Sequence, residues 1–466
     1  MVAFCYAIVI NSAVEVFGPR GVQGERIRPR GDPVEHGGWK GRHMTAQSAG
    51  KRSKSKVVVD DPSSLSKVLT TLKSSKVSTR PELARATGLG RTLVAKHVDI
   101  ALKINLISEG NFGSSTGGRV PRLLEFNKDS GYLLVAALGA TGMTIARSDL
   151  LGTATEVFHA PIDISVGPEK VLSELEKIFD RIALNESAPL WGVGIGVPGP
   201  VEFATGDLMS PPIMPGWDKY EVRARFEGKY GAPVWIDNDV NLMALGEAVM
   251  NVDTKHRELI YIKIGTGIGA GIISHNTLHR GAQGSAGDIG HIAISDPTQI
   301  ICRCGNIGCL EAIAGGAALA RDAKLAVEAN KSAFLADRLK KNKVLTGLDV
   351  TDGAQHGDAW SVDAITQAGR QVGQVLATII NFYNPSLVVI GGWVSSAGNL
   401  LLAAVRETVY RRSLPLATRD LEIRLGKVKD EVGLRGAAEM VLAELFSPNV
   451  LSQWVESGKP QLPIAY

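Results

Sequence analysis

Three of the four cysteines in the chain, Cys302, Cys304 and Cys309, crowd into one short segment, and His291 lies a little upstream. Thiolates and imidazoles are ligands that Zn2+ prefers, and three sulfurs with one imidazole complete a tetrahedral site. Three free thiols placed by chance would rarely lie so close together. Because protein side chains fill all four positions, the sequence predicts a structural rather than a catalytic zinc ion.

A second candidate site follows an apolar run that ends in Asn238 and Asp239. Open α/β sheets bind ligands at the carboxyl ends of their strands. The two side chains could therefore hydrogen-bond sugar hydroxyls, and Asp239 could take a proton from one as a general base. The alternative is a polar turn that caps the next helix, at residues 242–250. These residues alone leave both interpretations open.

Two glycine loops after apolar strands are candidate phosphate cradles. The first contains Gly139 and Thr141, and the second contains Gly265, Thr266 and Gly267. Glycine lets backbone N–H groups approach a phosphate closely, and a threonine hydroxyl adds a donor. Each loop alone is more often an ordinary turn. Their occurrence at the starts of two lobes predicts a phosphate cleft.

The elements that must position these residues begin at Tyr132. From there to Phe446, apolar strands alternate with amphipathic helices, which indicates two packed α/β lobes. The chain has 466 residues, of which 44% are apolar and 21% charged, so it is neither wholly disordered nor collagen-like. No apolar run reaches the length of a membrane span. The sequence therefore predicts a cytoplasmic protein without a membrane partner.

Upstream of the lobes, residues 62–105 have the pattern of three short helices. Thr79 and Glu82 form a capping box at the start of the second helix, and Gly88 is suited to end it. A third helix follows from Arg91. Two short helices joined by a glycine turn are typical of a helix-turn-helix. The apolar stripe of the first helix comprises Leu65, Val68, Leu69 and Leu72.

Two predicted strands, at residues 107–109 and 121–126, flank a glycine-rich loop and would form a wing. The net charge of +4 is too small to identify a DNA-binding protein, but the charge around this module favours one over a helix pair used for protein contacts. Arg122 adds positive charge beside the wing. The candidate DNA contacts are Arg80, Arg91, Thr92, Lys96, His97 and Arg119.

The N-terminal residues 1–56 form a basic extension, rich in Gly, Pro and Arg over residues 18–56, which we expect to be disordered. It is either a solvated tail or an arm that touches phosphates. Translation from Met44 is a further possibility. The predicted domains are thus the extension, a winged helix-turn-helix at 57–127, two lobes at 128–446 and a C-terminal tail at 447–466.

Several motifs together resemble the ROK family of bacterial sugar kinases and sugar-responsive repressors. They are the segment 194–200 (GIGVPGP), the Asn238-Asp239-Val240-Asn241 motif, the second glycine loop, the segment 287–291 (GDIGH) and the cysteine cluster. The match covers about residues 132–443. The upstream module, with residues 115–119 (STGGR), resembles the repressor branch, which includes xylose and N-acetylglucosamine repressors.

The resemblance implies an actin/hexokinase-like fold with sugar bound between two lobes. His291 would then use one ring nitrogen for zinc and the other for sugar. The implied sugar contacts are Gly199, Asn238, Asp239, Asp288, His291 and Glu311. The implied remnant of a nucleotide site comprises Gly139, Thr141, Gly265, Thr266, Gly267, Gly391 and Gly392.

Three positions depart from the family pattern, and the first two point away from a kinase. Ala137 stands where kinase members carry an aspartate that helps hold the magnesium of Mg-ATP, so we expect neither ATP nor Mg2+ to bind. Trp393 stands where small residues usually flank the adenosine. Asp288 replaces a glutamate, which would alter the choice of sugar.

We therefore expect a non-enzymatic transcriptional regulator, a repressor that binds operator DNA and a sugar or sugar-phosphate effector. A homodimer or a dimer of dimers would suit a two-fold operator. The alternative is an ATP-dependent sugar kinase with Asp239 as its general base.

Overall fold

A computed structural model of the protein describes residues 60–74, 78–112, 122–250, 257–294, 299–426 and 431–466. The predictions for the extension 1–56, for Met44 and for Arg119 lie outside these residues. Within the described helices, none is long and apolar enough to cross a membrane.

The N-terminal module consists of short helices followed by a hairpin. The Asp61 side chain caps the first helix by accepting from the backbone N–H of Ser64 at 3.0 Å, and the predicted Thr79–Glu82 capping box is present. Gly88 ends the second helix with a φ of +69°, a left-handed conformation that glycine adopts readily. The elements are α1 Pro62–Lys73, α2 Arg80–Thr87, α3 Arg91–Lys103, β1 Ile107–Phe112 and β2 Arg122–Phe126.

The first lobe is a five-stranded sheet in the order β5-β4-β3-β6-β9. β3 pairs with β4 in the antiparallel sense and with β6 in the parallel sense. The elements are β3 Tyr132–Leu138, β4 Gly142–Ser148, β5 Ala154–Pro161, α4 Pro168–Leu184, β6 Leu190–Val197, β7 Val201–Glu202, β8 Asp207–Leu208, α5 Val222–Tyr230, β9 Val234–Asn238 and α6 Asp239–Met250.

The second lobe repeats this topology in the order β12-β11-β10-β13-β14. β10 pairs antiparallel with β11 and parallel with β13. The strands are β10 Leu259–Ile264, β11 Ile268–Ser274, β12 Thr277–Leu278, β13 Leu387–Gly391 and β14 Glu422–Leu425; the helices are α7 Leu310–Ala314, α8 Gly316–Glu328, α9 Ala333–Asn342, α10 Gly347–Gln355, α11 Ala359–Tyr383, α12 Asn399–Arg412 and α13 Pro415–Thr418.

Two C-terminal helices, α14 Glu431–Leu445 and α15 Pro448–Trp454, return to the first lobe. α14 crosses α6 with the two backbones in contact. A Cβ built on Gly436 would lie 1.7 Å from the carbonyl oxygen of Leu242, and one built on Gly246 would lie 1.9 Å from that of Val432. The two glycines therefore allow the close crossing.

One hydrophobic core spans the predicted boundary between residues 127 and 128. Leu69 and Val98 of the N-terminal module share it with Trp191 of the first lobe and Phe446 after α14. Trp454 of α15 is buried in the same core, so the predicted C-terminal tail, residues 447–466, packs against the rest of the chain. The weak apolar pattern of this short segment concealed its packing.

Candidate functional site

A cleft of about 580 Å³ opens between the two lobes, within the usual size range of small-molecule sites. The two predicted glycine loops are the β3–β4 and β10–β11 turns, which occupy equivalent places in the two sheets. All six residues that were predicted to contact sugar line this cleft, namely Gly199, Asn238, Asp239, Asp288, His291 and Glu311. The predicted phosphate-loop residues Gly139, Thr141, Thr266, Gly267 and Gly392 also line it, whereas Gly265 and Gly391 are buried behind it.

Asn238 and Asp239 lie at the junction of β9 and α6. The Asn238 side chain accepts from the backbone N–H of Val240 at 2.9 Å and donates to the carbonyl oxygen of Gly199 at 3.0 Å. The capping interpretation is therefore correct for Asn238, and the same residue joins two walls of the cleft. Asp239 begins the helix, where its carboxylate is favoured by the helix dipole.

Asp239 forms an ion pair with Lys263 of β10, and the Asp239 side chain is only 4% exposed. Burial raises the pKa of the Asp239 carboxyl, and the Lys263 ammonium opposes that rise. Sequence reasoning missed Lys263. The available signal was one charged residue in the apolar run of β10.

Asp237 is held by residues from the second lobe and from α6. Arg280 donates to its carboxylate at 2.7 Å, and the Asn241 side chain donates to the other oxygen at 2.8 Å. The Arg280 guanidinium also lies 3.6 Å from the centre of the Phe203 ring. This network was not predicted, and it fixes the backbone from which Asn238 and Asp239 project.

Glu311 fastens the second glycine loop. Its carboxylate accepts from the backbone N–H of Ile268 at 3.0 Å, and a Cβ built on Gly267 would lie 2.1 Å from the same carboxylate. A glycine is required there because the acidic side chain packs directly against the loop. Glu311 thus brings negative charge to a loop that was predicted to hold phosphate.

The four predicted metal ligands come together. The donor atoms of His291, Cys302, Cys304 and Cys309 all lie within 4.8 Å of one another. The Sγ atoms of Cys304 and Cys309 are 3.7 Å apart, and Cys302 Sγ is 3.6 Å from Nδ1 of His291. Zn–S bonds of about 2.3 Å place neighbouring sulfurs of a tetrahedron about 3.8 Å apart. The donor set and spacing therefore fit Zn2+, with Nδ1 as the imidazole ligand.

His291 connects this cluster to the cleft. With Nδ1 turned toward the cysteines, its Nε2 atom lies 3.8 Å from Oδ1 of Asp288. Both residues line the cleft. A metal held at Nδ1 would leave Nε2 as the nitrogen that faces a ligand, and it would fix the orientation of the ring.

Trp393 lines the cleft beside Gly392. A Cβ built on Gly316 or Gly347 would lie 2.2 or 2.3 Å from the indole, so the ring rests on glycines at the starts of α8 and α10. Ala137, at the end of β3, also lines the cleft. Its methyl group packs toward Gly433 of α14, where a Cβ would lie 3.2 Å away.

The predicted DNA contacts of the N-terminal module are in different environments. Arg91 and Thr92 are exposed at the start of α3. Lys96 pairs with Asp60 at 2.6 Å, although 47% of its side chain is exposed. Arg80 pairs with Glu109 at 2.8 Å, and Arg122 pairs with the same carboxylate.

The prediction that His97 is an exposed DNA contact is wrong. Its exposure is 1%, and neither ring nitrogen has a hydrogen-bond partner among the described residues. His97 lies on the buried stripe of α3 with Val94, Val98 and Ala101, at spacings of three and four. That spacing was the available signal. Burial lowers the pKa of its imidazole.

Two lobes of repeated topology around a ligand cleft define the class of proteins with the actin/hexokinase-like fold, which confirms the predicted fold class of residues 132–443. The ROK family model matches residues 137–444. The chain belongs to the ROK family.

Relatives within the family include both repressors and kinases. A xylose repressor of Caldicellulosiruptor bescii is 32% identical over 388 residues, which cover 82% of this chain and 95% of the repressor. A glucokinase of Halalkalibacterium halodurans is 29% identical over 307 residues, which cover 65% of this chain and 93% of the glucokinase. The crystal structure of a ROK family transcriptional regulator, a homologue of the E. coli MLC protein, aligns with a TM-score of 0.71 at 25% identity and covers 85% of this chain and 99% of that one.

Proposed function

We propose that this protein is a sugar-responsive, DNA-binding transcriptional repressor of carbohydrate genes. The observation that carries the proposal is the combination of an N-terminal helical module with a sugar-type cleft from which the Mg-ATP carboxylate is missing at Ala137. The matches to the repressor and to the regulator extend over 82% and 85% of the chain, whereas the glucokinase match covers 65%. The additional coverage supports a repressor architecture that includes the N-terminal module.

In this proposal α3 is the recognition helix and the β1–β2 hairpin is the base of the wing. Arg91 and Thr92, exposed at the first turn of α3, would contact DNA directly. Arg80 would act indirectly, because its charge is shared with Glu109 at the base of the wing. Two copies would bind a two-fold operator in the cytoplasm.

Sugar would bind between the lobes, with its hydroxyls on Asn238, Asp239, Asp288, His291 and Glu311. His291, Cys302, Cys304 and Cys309 would hold a structural zinc ion, which fixes one wall of the cleft. The cleft would have an open and a closed conformation. A sugar that binds one conformation more tightly than the other shifts the equilibrium toward it, and the size of the shift is set by the difference between the two affinities. The repressor would thereby change its affinity for DNA.

Helix α14 provides the physical connection between the cleft and the DNA-binding module. It passes beside Ala137 at Gly433 in its first turn, crosses α6 at Gly436, and carries Glu439, which pairs with Lys73 of α1. The Ser66 hydroxyl of α1 donates to the carbonyl oxygen of Phe446, just after the helix, at 2.6 Å. A change at the cleft would therefore reach α1 through one rigid element.

DNase I footprinting of the DNA upstream of the gene, with and without candidate sugars, tests the proposal. We expect a protected site whose extent or affinity depends on one sugar. Absence of protection under every sugar condition would contradict it.

A sugar kinase is the second candidate, since Asp239 is retained and the family includes glucokinases. Asp239 would then deprotonate the attacking hydroxyl. Three features count against a kinase. Lys263 is already paired with Asp239, Trp393 lies beside Gly392 where the family resemblance places adenosine, and Ala137 provides no metal ligand. Sugar-dependent ADP release that is abolished by Asp239→Asn would favour the kinase.

A further inference from the structure

Lys263 is the only lysine or arginine among the described residues that line the cleft. It lies in β10 between Gly269 of β11 and Gly391 of β13, which are its partners in the strand register. Neighbours without side chains leave space for the long lysine stem. The stem therefore stays in the cleft wall, and its side chain is 19% exposed.

The charge of Lys263 is already balanced. Its ammonium pairs with the buried carboxylate of Asp239, while Asp288 and Glu311 add two further acidic groups to the same cleft. A dianionic phosphate would thus face acidic groups without a spare lysine or arginine on the described walls. Burying such an uncompensated charge is costly.

Three backbone donors of the two glycine loops are also occupied by the protein. The N–H of Gly139 donates to the carbonyl oxygen of Gly142 at 2.8 Å, and the N–H of Gly265 donates to that of Gly267 at 2.9 Å. The N–H of Ile268 donates to Glu311 at 3.0 Å. A phosphate cradle would direct such groups at its ligand. Here these three donors are satisfied by acceptors of the protein itself.

An uncharged sugar fits this arrangement. A hydroxyl can donate to the Asp239 carboxylate while its oxygen, or that of a neighbouring hydroxyl, accepts from the Lys263 ammonium. Both contacts are charge-assisted hydrogen bonds, and they leave the ion pair intact.

We propose that Lys263 is a specificity-determining residue, which makes the cleft select an uncharged sugar over its phosphate ester. The inference rests on the proposed sugar-sensing function and deepens it by naming the chemical class of the effector.

Isothermal titration calorimetry on the full-length protein tests the preference for an uncharged sugar over its phosphate ester. The ligands are xylose, glucose and N-acetylglucosamine, each compared with its phosphate monoester, with inorganic phosphate as a further ligand. We expect one uncharged sugar to bind at least about 100-fold more tightly than its ester, since the ester buries an unpaired charge. Inorganic phosphate should not bind. An ester that binds as tightly as its parent sugar would overturn the inference.

Variants of Lys263 test the residue itself. Lys263→Met keeps the apolar stem and removes the ammonium, and it should weaken sugar binding by about 10- to 100-fold. Lys263→Gln keeps a neutral donor and should recover part of that loss. Lys324→Met, at an exposed position of α8, is the matched control and should bind like the wild type. Unchanged sugar affinity in Lys263→Met would overturn the role of Lys263.

Thermal unfolding shows whether each variant is folded. If Lys263→Met fails to fold, the comparison between Lys263→Gln and the wild type decides, and equal affinities would overturn the proposal. A wild-type protein that binds none of the sugars would contradict the proposed function as a whole. Binding without preference between sugar and ester would contradict only the present inference.

Discussion

Lys73 of α1 and Glu439 of α14 form an ion pair of 2.8 Å that joins the N-terminal helices to the ROK domain. Their side chains are 13% and 21% exposed, so the pair is largely shielded from solvent. The first turn of α14 lies beside the cleft at Gly433, and the helix reaches α1 at Glu439. The pair is thus one polar contact, together with the Ser66–Phe446 hydrogen bond, between α1 and the helix that connects the two proposed functions.

Lys73→Met should reduce the effect of sugar on DNA affinity more than it reduces DNA affinity itself. The substitution removes the ammonium that couples α1 to α14 but leaves the exposed residues of α3 unchanged. Fluorescence anisotropy measures the operator affinity at zero and at saturating sugar, and the ratio of these two affinities is the sugar effect. Lys229→Met, which breaks an ion pair with Asp180 in the first lobe, is the control. An unchanged ratio in Lys73→Met would rule out coupling through this pair.

Gly436→Ala should destabilise the protein by about 3 kcal/mol or more, because its Cβ would meet the backbone of α6 at 1.7 Å. Urea unfolding of both proteins measures the difference. Gly228→Ala is a matched control in α5, where a Cβ meets no atom within 4 Å. The control should gain up to about 1 kcal/mol from its helix propensity. Equal stability of Gly436→Ala and the wild type would contradict the close backbone contact between α14 and α6.

His97 should make the protein less stable in acid. Burial lowers the pKa of its imidazole below the ordinary 6.5, while Asp61 opposes that shift. As the pH falls through 6.5, the unfolded chain takes up a proton that the folded state resists, so stability declines until the folded pKa is passed.

His97→Leu should therefore flatten the dependence of unfolding free energy on pH between 7.5 and 5. The exposed His279→Leu is its control. If His97→Leu and the wild type lose stability equally on acidification, the buried imidazole is not responsible.

Cys304→Ser should lower the zinc content, since it removes one of the four ligands that meet at the cluster. Loss of the ion would release His291 and Glu311 and weaken the sugar response, while DNA binding without sugar should persist. Metal analysis and sugar titration measure the two effects. Cys5→Ser is a control outside the cluster. A full sugar response in metal-free Cys304→Ser protein would refute the coupling.

Arg91→Ala should weaken DNA binding by a similar factor on every sequence and should lower the salt dependence by about one phosphate contact. Arg91 is exposed at the start of α3, whereas the control Arg419→Ala lies on the second lobe. An unaltered salt dependence would place Arg91 away from DNA.

Local patterns in the sequence predicted most of the fold. The apolar stripe at Leu65 and Leu69, the Thr79–Glu82 capping box and the left-handed Gly88 are interactions between near neighbours, and all are present. The clustering of the four candidate metal ligands was also predictable, because only a few types of side chain suit zinc. The packing of Trp454 was not, since it depends on residues hundreds of positions away.

The candidate site shows the same difference between features set by neighbouring residues and features set by tertiary contacts. Motifs identified the residues that line the cleft, but the Lys263–Asp239 pair joins β10 of the second lobe to the start of α6 and leaves no local pattern. His97 was misassigned because a polar residue was taken to be exposed, although its helical spacing follows the buried stripe. Tertiary contacts, rather than residue type, decide the role of both residues.

The most direct test of the central claim is the affinity of the purified protein for its upstream DNA, measured by fluorescence anisotropy across a titration of the cognate sugar. The account predicts a change of about 10-fold or more, in line with ordinary allosteric coupling energies, without any requirement for Mg-ATP. An affinity that stays constant up to saturating sugar would contradict it.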